Sequence, residues 1–296
     1  DMELIDSFLD YLRYERNYSP ETVKAYGSDL LQFEAFLEGE NGESKPLAEA
    51  GSREIRSWMV MLLDEGYSST SVNRKLSTLR SFFKYLLKQG VCQADPLRKV
   101  MGPKNKKKLP VFVKETDMDR LLDDIDFGPG FKGCRDRAIL ETFYLTGMRL
   151  SELIGLKDED VDFLVSCFKV TGKRNKQRLI PFGEELKKDL LEYVRQRSDA
   201  VGAKTNAFFV RENGEQLYRS IVEDIVKRNL SKVVTVKKRS PHVLRHTFAT
   251  LMLNHGAQLG PIKELLGHES LATTEVYTHT TFEELKKMYN QAHPRA

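Results

Sequence analysis

Cysteine is scarce in this chain. Cys92, Cys134 and Cys167 are the three in 296 residues, and no two of them form a CxxC pair. A disulfide scaffold and a zinc ribbon are therefore not expected, and a reducing cytoplasm is the natural compartment. Uninterrupted apolar runs are short. None approaches the ~20 residues that a membrane helix needs, so no membrane contact is expected. The opening Asp1-Met2-Glu3-Leu4 lacks the basic-then-apolar pattern of a secretion signal. A GxxxxGK[ST] phosphate loop is missing, which leaves nucleotide hydrolysis without support. Internal repeats and low-complexity segments are missing too. Net charge is only +4, from 47 Lys+Arg against 43 Asp+Glu. What is present is enough apolar residue, 40%, for sizeable cores, and a length that suits two domains.

The charge is unevenly placed. Residues 1–69 hold 6 Lys+Arg and 15 Asp+Glu, a balance of −9. Residues 70–108 hold 11 Lys+Arg and one acid, Asp95, a balance of +10. Such a block makes a strong local field, and a phosphate backbone is its natural partner.

The first hundred residues read as four helices. Ser19-Pro20-Glu21 combines an N-cap serine, a proline at the first helical position and an acid in the first turn. Val23, Tyr26, Leu30, Phe33 and Leu37 then recur at spacings of three and four. Ile5, Phe8, Leu9 and Leu12 mark an earlier helix, and Trp58, Met59, Leu62 and Leu63 a third. The fourth runs from about Ser71 to Lys88, with Val72, Leu76, Leu79, Phe83 and Leu86 inward. Arg74, Lys75, Ser77, Thr78, Arg80 and Lys84 are expected on its other faces. Residues 1–100 thus form a helical domain. Residues 101–110, with proline near both ends, Gly102 and Lys104, Lys106, Lys107 and Lys108, read as a basic linker.

Residues 111–296 read as a second, mostly helical domain with one β interruption. Val161 to Val170 is expected as a strand, and Arg178 to Phe182 as its returning partner. The turn between them carries Lys173, Arg174 and Lys176. Helices resume near Glu184, Ser220, Val243, Leu259 and Phe282.

Four segments carry chemistry. Arg149 and Glu152 are three apart, hence neighbours on one helix face. Lys173 stands on a turn from which it can reach into a cleft. His242 and Arg245, also three apart, follow Pro241 at a helix start that suits an anion. His268 and Tyr277 lie nine residues apart near the C-terminus. His242 and His246 have the spacing of a metal pair, but no HExxH glutamate and no cysteine cluster accompanies them, so no metal is expected. Taken together, two arginines, a lysine, two histidines and a tyrosine suit phosphodiester transesterification. Guanidinium forks match the non-bridging oxygens. A lysine can protonate the leaving 5′-oxygen, and a tyrosine oxygen can serve as a covalent nucleophile. The phenol titrates near pH 10, so unaided it is only about 0.1% ionised at neutral pH.

The order Arg149, Lys173, His242-x-x-Arg245, His268, Tyr277 resembles the tyrosine recombinases of the phage integrase family. TGMRLSEL, VTGKRNKQRLIPFG, HVLRHTFAT, IKELLGHESLATTEVYTH and the terminal AHPRA carry the likeness. NRKLSTLRSFFKYL and AHPRA look most like the XerC/XerD branch. The resemblance implies a mainly α fold: a four-helix, SAM-like core-binding domain and a mixed α/β catalytic domain with a small antiparallel sheet, closing on DNA as a clamp. It implies Tyr277 as nucleophile, forming a 3′-phosphotyrosine. It implies Arg149 and Arg245 on the non-bridging oxygens, Lys173 as the acid, His242 and His268 as helpers, and Glu152 as an acidic support. No cofactor, metal or ATP is implied. The helix containing Asn73, Arg74, Lys75, Thr78 and Arg80 would lie in the major groove. Lys84, Arg174 and Lys176 would add DNA contacts, and the linker lysines Lys104, Lys106, Lys107 and Lys108 would lie across the backbone.

The implied partner is double-stranded DNA with an inverted-repeat site. The implied assembly is a homo- or hetero-tetramer on two duplexes, joined by a swapped C-terminal helix. A sister recombinase and a septal DNA translocase are further implied partners, with a bacterial cytoplasmic, nucleoid-associated location. Chromosome or plasmid dimer resolution is the expected role. A mobile-element integrase, a non-catalytic DNA-binding regulator and a relaxing topoisomerase are the alternatives. Two departures from the Xer pattern stand out: Leu251, where histidine is frequent, and Gly260-Pro261 before LLGH.

Overall fold

In the computed structural model the described residues are 1–38, 45–105, 111–172, 176–201, 204–235, 239–267 and 279–296, with the side chains of 279–281 excepted. The chain divides into two compact units, Asp1–Lys108 and Leu109–Ala296.

The first unit is built from α1 (Met2–Asp10), α2 (Pro20–Leu37), α3 (Ser52–Asp64) and α4 (Ser69–Lys88). A wider π-type turn, Tyr11–Glu15, extends α1. The helices start where the sequence supplies caps. Ser19 Oγ accepts from the Thr22 amide at 3.3 Å, with Pro20 next to it, and Ser68 Oγ accepts from the Ser71 amide at 3.2 Å. The core joins Phe8, Leu30, Phe33, Trp58, Leu79 and Phe82, all fully buried. Phe8 meets Phe82 edge-on at 5.3 Å, and Phe33 meets Trp58 at 4.9 Å.

One acid in this core corrects the reading of α4. Asp29 of α2 is buried, and three residues of α4 converge on it. Arg74 donates twice, at 2.6 and 2.7 Å, Lys75 once at 2.9 Å and Thr78 once at 2.8 Å. Lys75 and Thr78, expected on the outer faces, are therefore buried. Because α4 packs against both α2 and α3, its inward face is wider than one apolar stripe. Burial pushes the Asp29 carboxyl up, but the bonds from Arg74, Lys75 and Thr78 outweigh it and hold the carboxyl below its ordinary 3.8. Asp29→Asn leaves Lys75 as a buried charge without its counter-ion, which costs roughly 3–5 kcal/mol at pH 7. A group with a lowered folded pKa stabilises above its unfolded value and loses that contribution as pH falls through the folded one. Urea titrations of the two proteins should therefore show a gap at pH 7 that narrows below about pH 4. A constant gap would contradict the ion-pair account.

The second unit opens with α5 (Glu115–Asp119), continued by a π-type turn Arg120–Asp124, and α6 (Gly130–Thr146). Almost every residue in the second half of α6 is buried, including Ile139, Phe143 and Tyr144, so α6 is the central helix against which α8 and α10 pack. Then come α7 (Leu150–Gly155) and a three-stranded antiparallel sheet, β1 (Val161–Asp162), β2 (Cys167–Thr171) and β3 (Gln177–Pro181), in that order. The single strand expected from Val161 to Val170 is thus two strands. Asp162 Oδ1 accepts from the amides of Leu164 and Val165 at 2.8 and 2.9 Å, and this turn breaks the run. Among the described residues, β3 is followed by α8 (Glu184–Ala200), α9 (Arg219–Leu230), α10 (Pro241–Asn254) and α11 (Leu259–Leu266). The last, α12 (His279–Ala292), packs against α10, α11 and β3 of its own chain. A separate apolar cluster ties the three helices together through Phe248, Met252, Ile262, Leu265, Leu285 and Tyr289. No described helix is long and apolar enough to cross a membrane.

Candidate active site

Three arginines and one glutamate meet where α7, β3, α10 and α11 converge. The first is aimed by a tight turn. α6 ends at Gly147, whose φ of +60° is left-handed, and a Cβ there would come within 2.5 Å of the Phe248 ring. Met148 follows, and Arg149 is then the N-cap of α7. Its backbone amide donates to Glu152 Oε2 at 2.7 Å, and its Nη1 donates to Glu152 Oε1 at 2.7 Å. The i, i+3 spacing seen in the sequence is thus a real contact.

Glu152 also receives Arg178. Strand alternation in β3 turns Arg178 and Ile180 to the buried face. Arg178 Nη1 and Nη2 bind Oε1 and Oε2 of Glu152 at 2.6 and 2.9 Å. The Glu152 side chain is 1% exposed. Burial pushes its carboxyl up, but the Arg178 fork, then Arg149, bring it below the ordinary glutamate value, so it is ionised at neutral pH.

Arg245, in the first turns of α10, completes the group. Its Nη1 donates to the Gly147 carbonyl at 2.7 Å and its Nη2 to the Leu266 carbonyl at 2.6 Å. Burial, then the charge of Arg149, pull its pKa down to about 10, which still leaves it a cation at neutral pH.

All three guanidiniums finish on the end of α11. The helix closes at Gly267 with φ +62°, and its last carbonyls have no partner inside the helix. Arg178 Nε takes Leu265 O at 2.7 Å, Arg245 takes Leu266 O, and Arg149 Nη2 takes Gly267 O at 2.7 Å. Cations at a helix C-terminus also match its dipole. Among the described residues, three cations stand against one anion in this cluster. An anion with several oxygens is its natural ligand.

The other expected residues fall as follows. His242 is exposed in the first turn of α10, three residues before Arg245, and His246 is half-buried. Lys173, His268 and Tyr277 lie outside the described residues. Gly172, the residue before Lys173, sits against the pair: a Cβ on it would be 3.6 Å from Glu152 Oε1 and 3.8 Å from Arg149 Nη1. Its amide donates to the Lys176 carbonyl at 2.7 Å. Gly267, the residue before His268, accepts from Arg149. Among the described residues no group of three His, Cys, Asp or Glu is placed to hold a metal ion.

Of the positions expected on DNA, Arg74, Arg80, Lys84, Lys104 and Lys176 are exposed. Asn73 donates to the Pro103 carbonyl at 2.8 Å, and Arg80 to the Val100 carbonyl at 3.1 Å. Lys75 and Thr78 face Asp29 instead. Lys106, Lys107, Lys108 and Arg174 lie outside the described residues. Arg178, at the start of the returning strand, is a site residue that the sequence motifs do not single out; its one signal is an arginine in the inward phase of an apolar strand.

Comparison with known proteins then decides the family. Residues 112–284 match the Phage integrase family, and residues 5–90 match the Phage integrase, N-terminal SAM-like domain. The chain belongs to the phage integrase family. It is 40% identical to the tyrosine recombinase XerC of Chlorobaculum tepidum over 99% of this chain and 94% of that protein. The tyrosine recombinase XerC of Staphylococcus carnosus is 41% identical, covering 98% of this chain and 97% of that one. The protein is thus an Xer-type tyrosine recombinase, a site-specific recombination enzyme. The fold agrees: the XerH site-specific recombinase bound to palindromic difH substrate superposes with a TM-score of 0.72 at 23% identity, over 96% of this chain and 83% of that one. The Tn1549 transposon integrase in complex with circular intermediate DNA superposes at 0.71 and 21% identity, over 95% and 98%. The two departures of this recombinase from the Xer pattern both fall within helices. Leu251 is a buried residue of the catalytic-unit core, and Gly260 and Pro261 occupy the first turn of α11, where proline removes no helical hydrogen bond.

Proposed function

We propose that this recombinase cuts and rejoins DNA through a 3′-phosphotyrosine at Tyr277. The observation that carries the reading is the arginine cluster at the end of α11, where three described cations surround one described carboxylate and Arg149 and Arg245 are anchored on backbone carbonyls. In the reaction Tyr277 Oη attacks the scissile phosphorus and loses its proton, with His242 assisting the transfer. The P–O5′ bond breaks, and the departing 5′-oxygen takes a proton from Lys173, an acid–base contribution of roughly 10²–10⁴-fold. Arg149 and Arg245 hold the two non-bridging oxygens, where negative charge builds in the transition state. His268 adds a hydrogen bond to the same phosphate. Glu152 orients Arg149. The new ester keeps the energy of the old one. A 5′-hydroxyl from a second strand then attacks it and releases Tyr277 without ATP.

The substrate in this reading is double-stranded DNA with an inverted-repeat site. Arg74 and Arg80 lie on the helix that enters its major groove, and Lys84 and Lys104 of the first unit and Lys176 of the second add DNA contacts. A tetramer on two duplexes, exchange of α12 between subunits, a sister recombinase and a septal translocase as trigger belong to the same reading, with chromosome or plasmid dimer resolution as the role. Nucleoid association follows from it.

The experiment is to trap the adduct on a nicked duplex carrying the site, digest the protein and identify the DNA-linked peptide by mass spectrometry. The peptide containing Tyr277 is expected. DNA linked through any other residue would contradict the assignment.

A further inference from the structure

We propose that Arg178 is a positioning residue for phosphoryl transfer, keeping the Arg149 guanidinium available to the phosphate by neutralising Glu152 and by fixing the end of α11. The inference rests on the reading that Arg149 holds the transferring phosphate.

Arg178 uses all three guanidinium nitrogens inside the protein: Nε on Leu265 O at 2.7 Å, Nη1 and Nη2 on Glu152 at 2.6 and 2.9 Å. Its side chain is 6% exposed. Arg178 is thus committed to its protein partners and acts through them. Arg149 is held differently. It gives Glu152 a single side-chain bond, from Nη1 at 2.7 Å, and its Nη2 goes to Gly267 O. The second Glu152 oxygen is already occupied by Arg178 Nη2 and by the Arg149 backbone amide. Arg149 is therefore kept from closing a two-point fork on Glu152, and its side chain remains 29% exposed.

Remove Arg178, and Glu152 becomes a buried carboxylate whose remaining guanidinium hydrogen bond, among the described residues, is the one from Arg149. A lone buried carboxylate draws the nearest fork onto itself in two-point geometry. The guanidinium that should meet the phosphate would then be spent on Glu152. The Leu265 carbonyl would also lose its donor, three residues before His268. A lysine at this position keeps the charge but cannot reach a carbonyl and both carboxylate oxygens at once.

The test uses the whole chain and the duplex site on which the wild type forms its adduct. Single-turnover adduct formation and equilibrium binding are measured for the wild type, Arg178→Gln and Arg178→Lys. Each is then repeated on a substrate whose scissile phosphate is a methylphosphonate, which lacks one non-bridging charge. On the ordinary phosphate we expect cleavage to fall about 100-fold in Arg178→Gln and about 10-fold in Arg178→Lys, with affinity changed less than about threefold. On the methylphosphonate the same defects should shrink to within about threefold, since the charge that Arg149 neutralises is gone. A merely structural role would slow both substrates equally, and that result overturns the proposal. So does wild-type cleavage of the ordinary phosphate by both variants. If Arg178→Gln fails to fold, Arg178→Lys, which keeps the buried charge, is read alone by the same criteria. A wild type that forms no adduct on the ordinary phosphate would instead overturn the reading on which the inference rests.

Discussion

Replacing Tyr277 by phenylalanine is expected to abolish covalent attachment to DNA while leaving binding to the site within about twofold. The change deletes one oxygen and nothing else. Affinity resides in backbone and groove contacts distributed over many side chains, so one phenol contributes little to it. The covalent step has no substitute for that oxygen. Water can attack a phosphodiester in principle, but it leaves no protein–DNA bond. An SDS-resistant band is therefore the readout, with a mobility-shift assay run on the same samples. An adduct that persists in Tyr277→Phe would remove Tyr277 from its role. Loss of binding together with the adduct would mean that the tyrosine holds the structure rather than performs the chemistry.

Arg245→Ala has the second-largest expected effect. Loss of one preorganised donor to a developing oxyanion costs about 3 kcal/mol, a fall of roughly 10²–10³-fold in the cleavage rate. Arg245 has a further duty. Its two terminal nitrogens tie the Gly147 carbonyl, just before Arg149, to the Leu266 carbonyl, just before Gly267. Alanine leaves both carbonyls without that donor, so some loss of thermal stability accompanies the loss of rate. Arg245→Lys separates the two effects. The ammonium keeps a positive charge but cannot donate in two directions with a planar fork. The lysine variant should recover part of the rate and little of the stability. Cleavage by Arg245→Ala within about threefold of the wild type, measured at saturating DNA, would contradict the clamp.

Local structure is legible in the sequence where one turn of helix decides the outcome. Ser19-Pro20 starts α2, and Arg149 touches Glu152 because three residues along a helix are neighbours. The hidden parts depend on partners far along the chain. Asp29 sits among the apolar residues of α2, and its reason for being there is Arg74, 45 residues away. The same contact explains why Lys75 and Thr78 are buried although their residue types suggest solvent. Arg178 meets Glu152 across 26 residues and Leu265 across 87. No periodicity in one strand reveals such a pairing. Order and local motif nevertheless carry the resemblance, because Arg149, Lys173, His242, Arg245, His268 and Tyr277 each stand in a short pattern of their own.

This has a bearing on how the site is held. Its arginines are anchored on carbonyls and on one buried carboxylate, so their positions depend on the end of α11. That end is in turn packed through Leu265 and Leu266 in the cluster with Leu285 and Tyr289 of α12. The last helix and the clustered arginines therefore share one support.

The measurement that tests the account most directly is a covalent trap on the protein's own genomic DNA. The wild type and Tyr277→Phe are incubated with fragmented DNA and denatured in SDS, and the fragments that stay attached are sequenced. The account predicts attached fragments in the wild type alone, converging on one short inverted-repeat site. Attachment scattered over the genome without a common sequence, or attachment that survives Tyr277→Phe, would contradict it.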